Sequence, residues 1–246
     1  MPAVQSPPQF TAPSAGVEFP LRWRDLCAQA SPELGLPCPP CGFAGKHRVV
    51  TKGSMLFGNG DPLNMLFELQ SGSFKTCVCA PDGRQQVTGF QLAGDWLGLD
   101  GIDTGRHSLD AVALEDTQVF AIDYLAFGEM LRASSTLLRQ FNKVMSREIV
   151  REHGMLLVLG RMHAEQRVAT FLLDLWRRLR RGGYATEPML LHMSREEMGS
   201  YLGLKLETVS RSFSKLQTDG VLEVHHRRIV VVDEASLQRV AHGPVS

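Results

Sequence analysis

Residues 194–218 have the sequence SREEMGSYLGLKLETVSRSFSKLQT, and this stretch decides the fold of the C-terminal part of the chain. Ser194 followed three residues later by Glu197 is the capping-box pattern that starts a helix. Gly203 ends that short helix, and a second helix is predicted from residue 206 to residue 218. The apolar face of the second helix contains Val209, Phe213 and Leu216. Two short helices joined by a tight glycine-containing turn predict a helix-turn-helix.

A β-hairpin is predicted directly after these helices. Two apolar runs, at residues 221–224 and 229–232, lie on either side of His225-His226-Arg227-Arg228. Short apolar runs around a polar turn are typical of paired strands. A helix-turn-helix followed by such a hairpin is a winged helix, and double-stranded DNA is the partner that this module indicates.

The distribution of charge supports a nucleic-acid partner. The whole chain has 26 Lys and Arg and 26 Asp and Glu, so its net charge indicates no partner. Residues 161–230, however, contain 12 basic and 8 acidic residues and carry +4, which leaves −4 on the rest of the chain. A basic C-terminal region is what contact with DNA phosphates requires.

The start of the second helix has the residue types that read bases. Glu207, Ser210 and Arg211 lie within about one helical turn of one another. Arginine binds the O6 and N7 atoms of guanine through two hydrogen bonds, and glutamate accepts a hydrogen bond from the amino group of cytosine. We therefore predict base contacts from these three residues, and further DNA contacts from Lys205 and Thr208 beside them.

The N-terminal half has a different composition. Nine of the 13 prolines lie in the first 41 residues, and residues 1–20 are predicted to form a disordered tail. Residues 42–105 hold 12 of the 23 glycines, spaced between short apolar segments, which is typical of antiparallel strands with tight turns. Many short strands without intervening helices favour a β-sandwich or a jelly-roll barrel.

A long helix is predicted between the two halves, over residues 134–162. Its seam positions alternate at spacings of three and four: Leu138, Phe141, Met145, Glu148, Glu152, Met155, Leu159 and Met162. This spacing is typical of a coiled coil and predicts a dimerisation helix. Two interpretations of its glutamates stay open. Either Glu148 and Glu152 face their own copies and weaken the dimer, or the helix is rotated and presents Ile149 and Leu156 instead.

Residues 198–211, together with segments 53–57, 72–75 and 88–95, resemble the CRP/FNR transcription regulators, in particular the anaerobic (fumarate-nitrate-reduction) branch. The similarity runs from about residue 26 to residue 232. It implies an α+β fold with three parts. These are a jelly-roll β-barrel sensor of the cyclic-nucleotide-binding type at residues 21–133, the dimerisation helix at 134–162, and a winged helix-turn-helix at 163–246.

The resemblance also implies a function. The chain is expected to be a sequence-specific transcription regulator whose homodimer binds inverted repeats of the TTGAT type through Glu207, Ser210 and Arg211. RNA polymerase is the expected downstream partner, and the Asp82-Gly83-Arg84 turn is either an activating contact or a plain surface turn. Glu152 matches an acidic residue that keeps the cofactor-free members of the anaerobic branch monomeric, so we expect it to control dimerisation.

The cysteines are the candidate residues for sensing oxygen or redox state. The anaerobic branch holds a [4Fe-4S] cluster through three N-terminal cysteines and a fourth in the barrel, where this sequence has Phe120. The candidate ligands are Cys27, Cys38 and Cys41, with Cys77 or Cys79 as the fourth. Four thiolates satisfy such a cluster. A Cys-Pro-Pro-Cys segment also suits zinc or a reversible disulfide, and cysteines that only pack are a further alternative.

A regulator without a cluster, whose barrel binds a small molecule or haem, is the competing interpretation. Its polar contacts are expected to be Arg106, His107 and Ser108. His107 occupies the place where the cyclic-nucleotide branch has an arginine that grips the phosphate, so binding of cyclic AMP is not expected.

Other classes of protein are not favoured by the sequence. No Gly-x-Ser-x-Gly, His-Glu-x-x-His or phosphate-loop motif occurs, so an enzyme is not expected. The longest apolar run is far shorter than the ~20 residues of a membrane helix, and the first 20 residues lack the Lys or Arg of a secretory signal. The expected location is the cytoplasm, with no membrane contact.

Overall fold

A computed structural model of the chain describes residues 45–79, 83–181 and 188–243. The predicted tail at residues 1–20 and the three cysteines Cys27, Cys38 and Cys41 lie outside these ranges, as does Asp82. Strands occupy the first part of the described chain, and helices with a small sheet occupy the second part. The predicted α+β class is confirmed.

The N-terminal part is a barrel of two four-stranded antiparallel sheets. Its strands are β1 (Gly45–Val50), β2 (Met55–Phe57), β3 (Met65–Ser71), β4 (Ser73–Cys79), β5 (Gln85–Leu92), β6 (Trp96–Leu97), β7 (Asp110–Ala113) and β8 (Thr117–Asp123). The strand orders are β1-β8-β3-β6 and β2-β7-β4-β5. Strands that are distant in sequence are therefore neighbours in each sheet, which is the jelly-roll connectivity that the resemblance predicted.

The barrel core lies between the two sheets. Its buried residues include Phe57, Phe67, Leu69, Phe74, Leu97 and Val119. Strands β3 and β4 are joined at Gly72, whose φ is 86°, and a Cβ atom there would lie 2.5 Å from Oγ1 of Thr117. Only glycine fits both this backbone conformation and this close approach.

Two helices leave the barrel, α1 (Tyr124–Ala133) and α2 (Ser135–Arg161). Asp123 starts α1 by accepting a hydrogen bond from the backbone N of Ala126 at 2.8 Å, and Ser134 starts α2 by accepting from the backbone N of Leu137. Phe127 and Phe141 pack against Trp96 beneath the barrel. This aromatic cluster fixes the first turns of α2 against the sensor.

Two residues of the predicted seam on α2 make contacts within the chain. Phe141 is buried in the aromatic cluster, and the carboxylate of Glu148 pairs with Arg151 of the same helix. Ile149 and Leu156 are exposed instead. Phe141 and Glu148 are therefore engaged in contacts within their own chain. Which face of α2 meets a second copy stays a prediction. The alternative interpretation places Ile149 and Leu156 outward, and both are exposed here together with Glu152.

The C-terminal part contains the predicted helix-turn-helix and hairpin. Its elements are α3 (Ala164–Arg181), β9 (Met189–Leu190), α4 (Arg195–Leu202), α5 (Leu206–Thr218), β10 (Leu222–His225), β11 (Arg228–Val231) and α6 (Glu234–His242). The three strands form an antiparallel sheet in the order β10-β11-β9. Its core includes Leu172, Leu175, Met198, Val209, Leu216, Leu222 and Ile229.

The barrel and the winged domain share one apolar cluster. Val87 and Leu92 of β5 belong to the same buried cluster as the core of the winged domain. The ring of Phe90 lies 5.2 Å from that of Tyr201 on α4 and 5.7 Å from that of Phe171 on α3, measured between centroids. The sensor therefore contacts the helix-turn-helix directly. Among the described helices, none combines the length and apolar character that crossing a membrane requires.

Candidate DNA-binding surface

The first helix of the helix-turn-helix, α4, begins at the predicted capping box. The backbone N of Glu197 donates to Oγ of Ser194 at 3.1 Å, and the backbone N of Ser194 donates to Oε2 of Glu197 at 2.7 Å. Burial acts to raise the pKa of Glu197, but hydrogen bonds from Lys75 and Ser194 outweigh it, so this pKa lies below its usual value. The carboxylate therefore stays ionised and holds the start of the helix.

The turn between the two helices depends on two glycines. Gly203 has φ 63°, the left-handed conformation that ends α4. The backbone N of Leu204 donates to the carbonyl of Gly199 at 2.9 Å, and a Cβ atom on Gly199 would lie 2.6 Å from the carbonyl oxygen of Leu204. The turn therefore packs directly on the backbone of α4, which sets the angle between α4 and α5.

Contacts on its inner side hold α5 in place. Its buried residues are Val209, Ser212, Phe213 and Leu216. The guanidinium of Arg195 lies over the ring of Phe213, with 3.1 Å from Cζ to the centroid. Burial lowers the pKa of Arg195 to about 10, so the group remains a cation at neutral pH and the cation–π contact is retained. On the exposed side of α5, Lys215 pairs with Glu165 of α3 at 2.6 Å.

The outer side of α5 carries the residues predicted to contact DNA. Lys205 precedes the helix, and Lys205, Glu207, Ser210 and Arg211 are exposed, whereas Thr208 is half-buried. Glu207 and Arg211 are four residues apart and so share a face. Neither takes part in a salt bridge with the residues that the structure describes. Their side chains are accessible to a ligand outside the protein.

The tip of the hairpin is a second exposed polar site. His225, His226, Arg227 and Arg228 are all exposed. His226 has φ 57°, which the two-residue turn between β10 and β11 requires. Arg227 donates to the carbonyl of His192 at 3.5 Å. The sequence predicted this turn, and the structure places four side chains able to carry positive charge at its tip.

The contact between α4 and the barrel was not predicted. Nζ of Lys75 on β4 lies 2.8 Å from Oε1 of Glu197, and the backbone N of Val87 donates to Oγ of Ser200 at 2.9 Å. These partners are more than 100 residues apart in sequence. No local pattern could have indicated them, because each contact depends on how the two domains pack.

The positions that match the nucleotide site of the cyclic-nucleotide branch bond to one another. The ring of His107 is buried and stacks on Phe57 at 3.7 Å between centroids, and its Nδ1 lies 3.4 Å from Oδ1 of Asp100. The backbone N of Ser108 donates to Oδ2 of Asp100 at 2.8 Å, and Arg106 donates to the carbonyl of Gly60 at 2.7 Å. The polar groups expected to bind a small ligand are engaged within the protein.

The two cysteines in the described ranges differ in accessibility. Cys77 is fully buried, and burial together with the nearby carboxylate of Asp110 raises the pKa of its thiol. Cys79 is exposed at the end of β4. Phe120, at the place of the barrel ligand in the anaerobic branch, is buried beside the ring of His47. Within the described ranges, no group of three or more His, Cys, Asp or Glu is placed to hold a metal.

Comparison with known proteins identifies both domains. Residues 47–134 match the cyclic nucleotide-binding domain, and residues 166–240 match the Crp-like helix-turn-helix domain.

Similarity to individual proteins extends across both domains. The transcriptional regulatory protein btr of Bordetella pertussis is 39% identical over 218 residues, which cover 84% of this chain and 90% of that protein. The fumarate and nitrate reduction regulatory protein of Escherichia coli is 35% identical over 196 residues, which cover 80% of this chain and 78% of that protein. The solved structure of FixK2 from Bradyrhizobium japonicum has a TM-score of 0.75 and 31% identity, and the match covers 82% of this chain and all of that one.

Proposed function

The chain belongs to the CRP/FNR family of DNA-binding transcription regulators, and from this premise we propose that its homodimer binds inverted repeats of the TTGAT type in response to oxygen or redox state. The relatives are transcription regulators, which confirms the predictions that this chain regulates transcription and is not an enzyme. Regulators of this family act as dimers. The half-site, the signal and the contact with RNA polymerase are proposals.

The observation that carries the half-site proposal is the outer face of α5. Glu207 and Arg211 project from one face, and the buried side of the same helix is held by Val209, Phe213 and Leu216. TTGAT contains one G·C pair. Arg211 can bind its guanine through two hydrogen bonds, and Glu207 can accept from the amino group of its cytosine. Ser210, Lys205 and Thr208 are proposed to contact the neighbouring bases and phosphates.

A binding experiment tests this proposal. The full chain is titrated onto fluorescent duplexes that contain either two inverted TTGAT half-sites or the same bases in scrambled order, at several salt concentrations. A specific regulator is expected to prefer the repeat by about 10³-fold or more, and both affinities are expected to fall as salt rises. Equal affinity for the two duplexes would reject the half-site.

The exposed face of α2 supports dimerisation through this helix. Ile149 and Leu156 are apolar and exposed, and Glu152 is exposed between them. The spacing of three and four is that of a coiled-coil seam. We propose that two α2 helices pair through this face and that each Glu152 lies near its own copy. Repulsion between the two carboxylates would then make the dimer depend on a signal.

The proposed signal rests on the relatives and on the cysteines. One relative is named for the reduction of fumarate and nitrate, and we infer that this chain also responds to oxygen or redox state. Cys77 does not fit a cluster, since its side chain is fully buried and the pKa of its thiol is raised. Cys79 is the accessible thiol of the described ranges, and one thiol makes no cluster site. A [4Fe-4S] cluster would therefore depend on Cys27, Cys38 and Cys41, with Cys79 as the fourth ligand.

Iron and acid-labile sulfide, measured per chain on protein purified without oxygen, test the cluster. About four of each would support a [4Fe-4S] sensor. The matched variants are Cys79→Ser and Cys77→Ser. Loss of iron in Cys79→Ser but not in Cys77→Ser agrees with the proposed ligand set. Near-zero iron in the unmodified protein rejects the cluster and leaves thiol oxidation as the redox chemistry.

A further inference from the structure

Arg167, in the first turn of α3, bonds to the ends of two other helices. Its Nη2 donates to the carbonyl of Leu159 at 2.9 Å, its Nε donates to that of Met162 at 2.9 Å, and its Nη1 donates to that of Leu202 at 3.0 Å. Leu159 and Met162 are the last turn and the C-cap of α2, and Leu202 is the last residue of α4. One guanidinium therefore joins the dimerisation helix to the first helix of the helix-turn-helix.

The three carbonyls are groups that need an outside donor. The last carbonyls of a helix have no backbone N–H four residues further on within the same helix. The backbone N of His163, which would otherwise continue α2 toward Leu159, donates to Oε1 of Gln166 instead. Helix C-termini also carry partial negative charge, which favours a cation. The planar guanidinium supplies several N–H groups in a fixed geometry, and an ammonium group does not.

Arg167 also lies beside the turn between the two helices of the helix-turn-helix. Gly203, in the turn between α4 and α5, lies against it, and a Cβ atom on Gly203 would be 3.4 Å from Nη1 of Arg167 and 3.6 Å from Cδ2 of Leu159. The covalent link between α2 and α3 is only Met162 and His163. The bonds of Arg167 therefore contribute to fixing the angle at which the helix-turn-helix is carried on α2.

We propose that Arg167 is a positioning residue that sets which spacing between two DNA half-sites the dimer accepts. This inference rests on the proposed function, because it assumes that two α2 helices pair and that α5 reads each half-site. In such a dimer, α2 defines the two-fold axis, and the orientation of α4 and α5 relative to α2 decides where the two recognition helices lie. They must meet successive turns of the major groove, about 34 Å apart.

The test compares spacings, not single affinities. DNA is first selected from a random pool by the full-length wild-type chain. The selected repeat is then made with its own spacer and with spacers two base pairs longer and shorter, each of which moves one half-site by about 7 Å and turns it by about 70°. Affinities are measured for wild type, Arg167→Ala, Arg167→Lys and the control Arg177→Ala. Arg177 lies on the same helix and pairs with Glu234 of α6 at 3.5 Å.

The ratio of affinities for the selected and altered spacings is the readout. We expect Arg167→Ala to lower this ratio about tenfold, the factor that corresponds to one lost charge-assisted hydrogen bond. Arg167→Lys keeps the charge without the planar geometry and is expected to lower it as well, whereas Arg177→Ala is expected to leave it unchanged. A fraction of unfolded protein lowers every affinity equally and cancels in the ratio.

The outcomes separate the positioning role of Arg167 from the proposed half-site. An unchanged ratio in both Arg167 variants overturns the positioning role, and so does full recovery with lysine, because the three carbonyls would then not need the guanidinium geometry. If Arg167→Ala gives no folded dimer, Arg167→Lys decides alone. Selection of an inverted repeat other than TTGAT rejects the half-site proposal, and the spacing test proceeds on that repeat. Selection of a single half-site overturns both.

Discussion

Lys75 on a barrel strand and Glu197 on the first helix of the helix-turn-helix form an ion pair at 2.8 Å, with both side chains mostly buried. The same Glu197 closes the capping box of α4 through Ser194. We expect Lys75→Ala to lower the free energy of unfolding by about 1 kcal/mol. Glu197→Ala should cost about 1 kcal/mol more, because it also removes the cap. Urea unfolding of both variants and of the double variant measures the coupling free energy between Lys75 and Glu197. A coupling free energy near zero would contradict a stabilising ion pair.

The same pair predicts a dependence of stability on pH. Since the pKa of Glu197 in the folded protein lies below its ordinary value of 4.5, ionisation stabilises the fold above that value. This contribution is lost as pH falls through the lowered pKa. The difference in unfolding free energy between wild type and Lys75→Ala should therefore be largest near neutral pH and shrink below pH 4.5. A constant difference from pH 7 to pH 3 would mean that Lys75 acts only by packing.

Asp95 is a second link between the domains. Its carboxylate accepts from the backbone N of Leu92 at 2.8 Å and pairs with Arg178 on α3 and, at 3.5 Å, with Arg151 on α2. Burial acts to raise its pKa, and the two arginines outweigh this and lower it. We expect Asp95→Asn to cost about 2 kcal/mol in unfolding free energy, because Arg151 and Arg178 each lose one carboxylate partner. The control Asp174→Asn removes an exposed partner of the same Arg178 and should cost well under about 1 kcal/mol.

The elements that the sequence predicted correctly are those determined by a few neighbouring residues. The capping box at Ser194 and the left-handed Gly203 are properties of a few neighbouring residues, so the helix-turn-helix could be placed before the structure. The rotation of α2 could not be predicted from the sequence, because it depends on Phe141 filling a space beneath the barrel. The bonds of Arg167 to two other helices are likewise a result of tertiary packing. The predicted DNA contacts stay predictions, although the structure exposes most of them.

Arg211 offers a test of base reading. We expect Arg211→Ala to cost about 1–3 kcal/mol at the TTGAT repeat and to relax specificity at its G·C pair, with a smaller loss on random DNA. Arg228 at the hairpin tip is the matched control, since it is exposed and its removal should weaken binding similarly on all sequences. Fluorescence anisotropy on the repeat, on variants of its G·C pair and on random DNA distinguishes the two. An equal loss on every DNA would make Arg211 a phosphate contact.

Glu152 lies exposed on α2 between the exposed apolar residues Ile149 and Leu156. If the two α2 helices pair through this face, Glu152→Ala removes a repulsion of about 1 kcal/mol, the size expected for two unit charges about 4 Å apart in water. The variant should therefore dimerise several-fold more tightly and bind the repeat without a signal. Glu129→Ala is the control, because Glu129 is an exposed acid on α1 that pairs with Arg132 of the same helix. Sedimentation velocity and DNA binding measure the change. If neither shifts in Glu152→Ala, charge at this position does not govern the dimer, and the proposed repulsion is rejected.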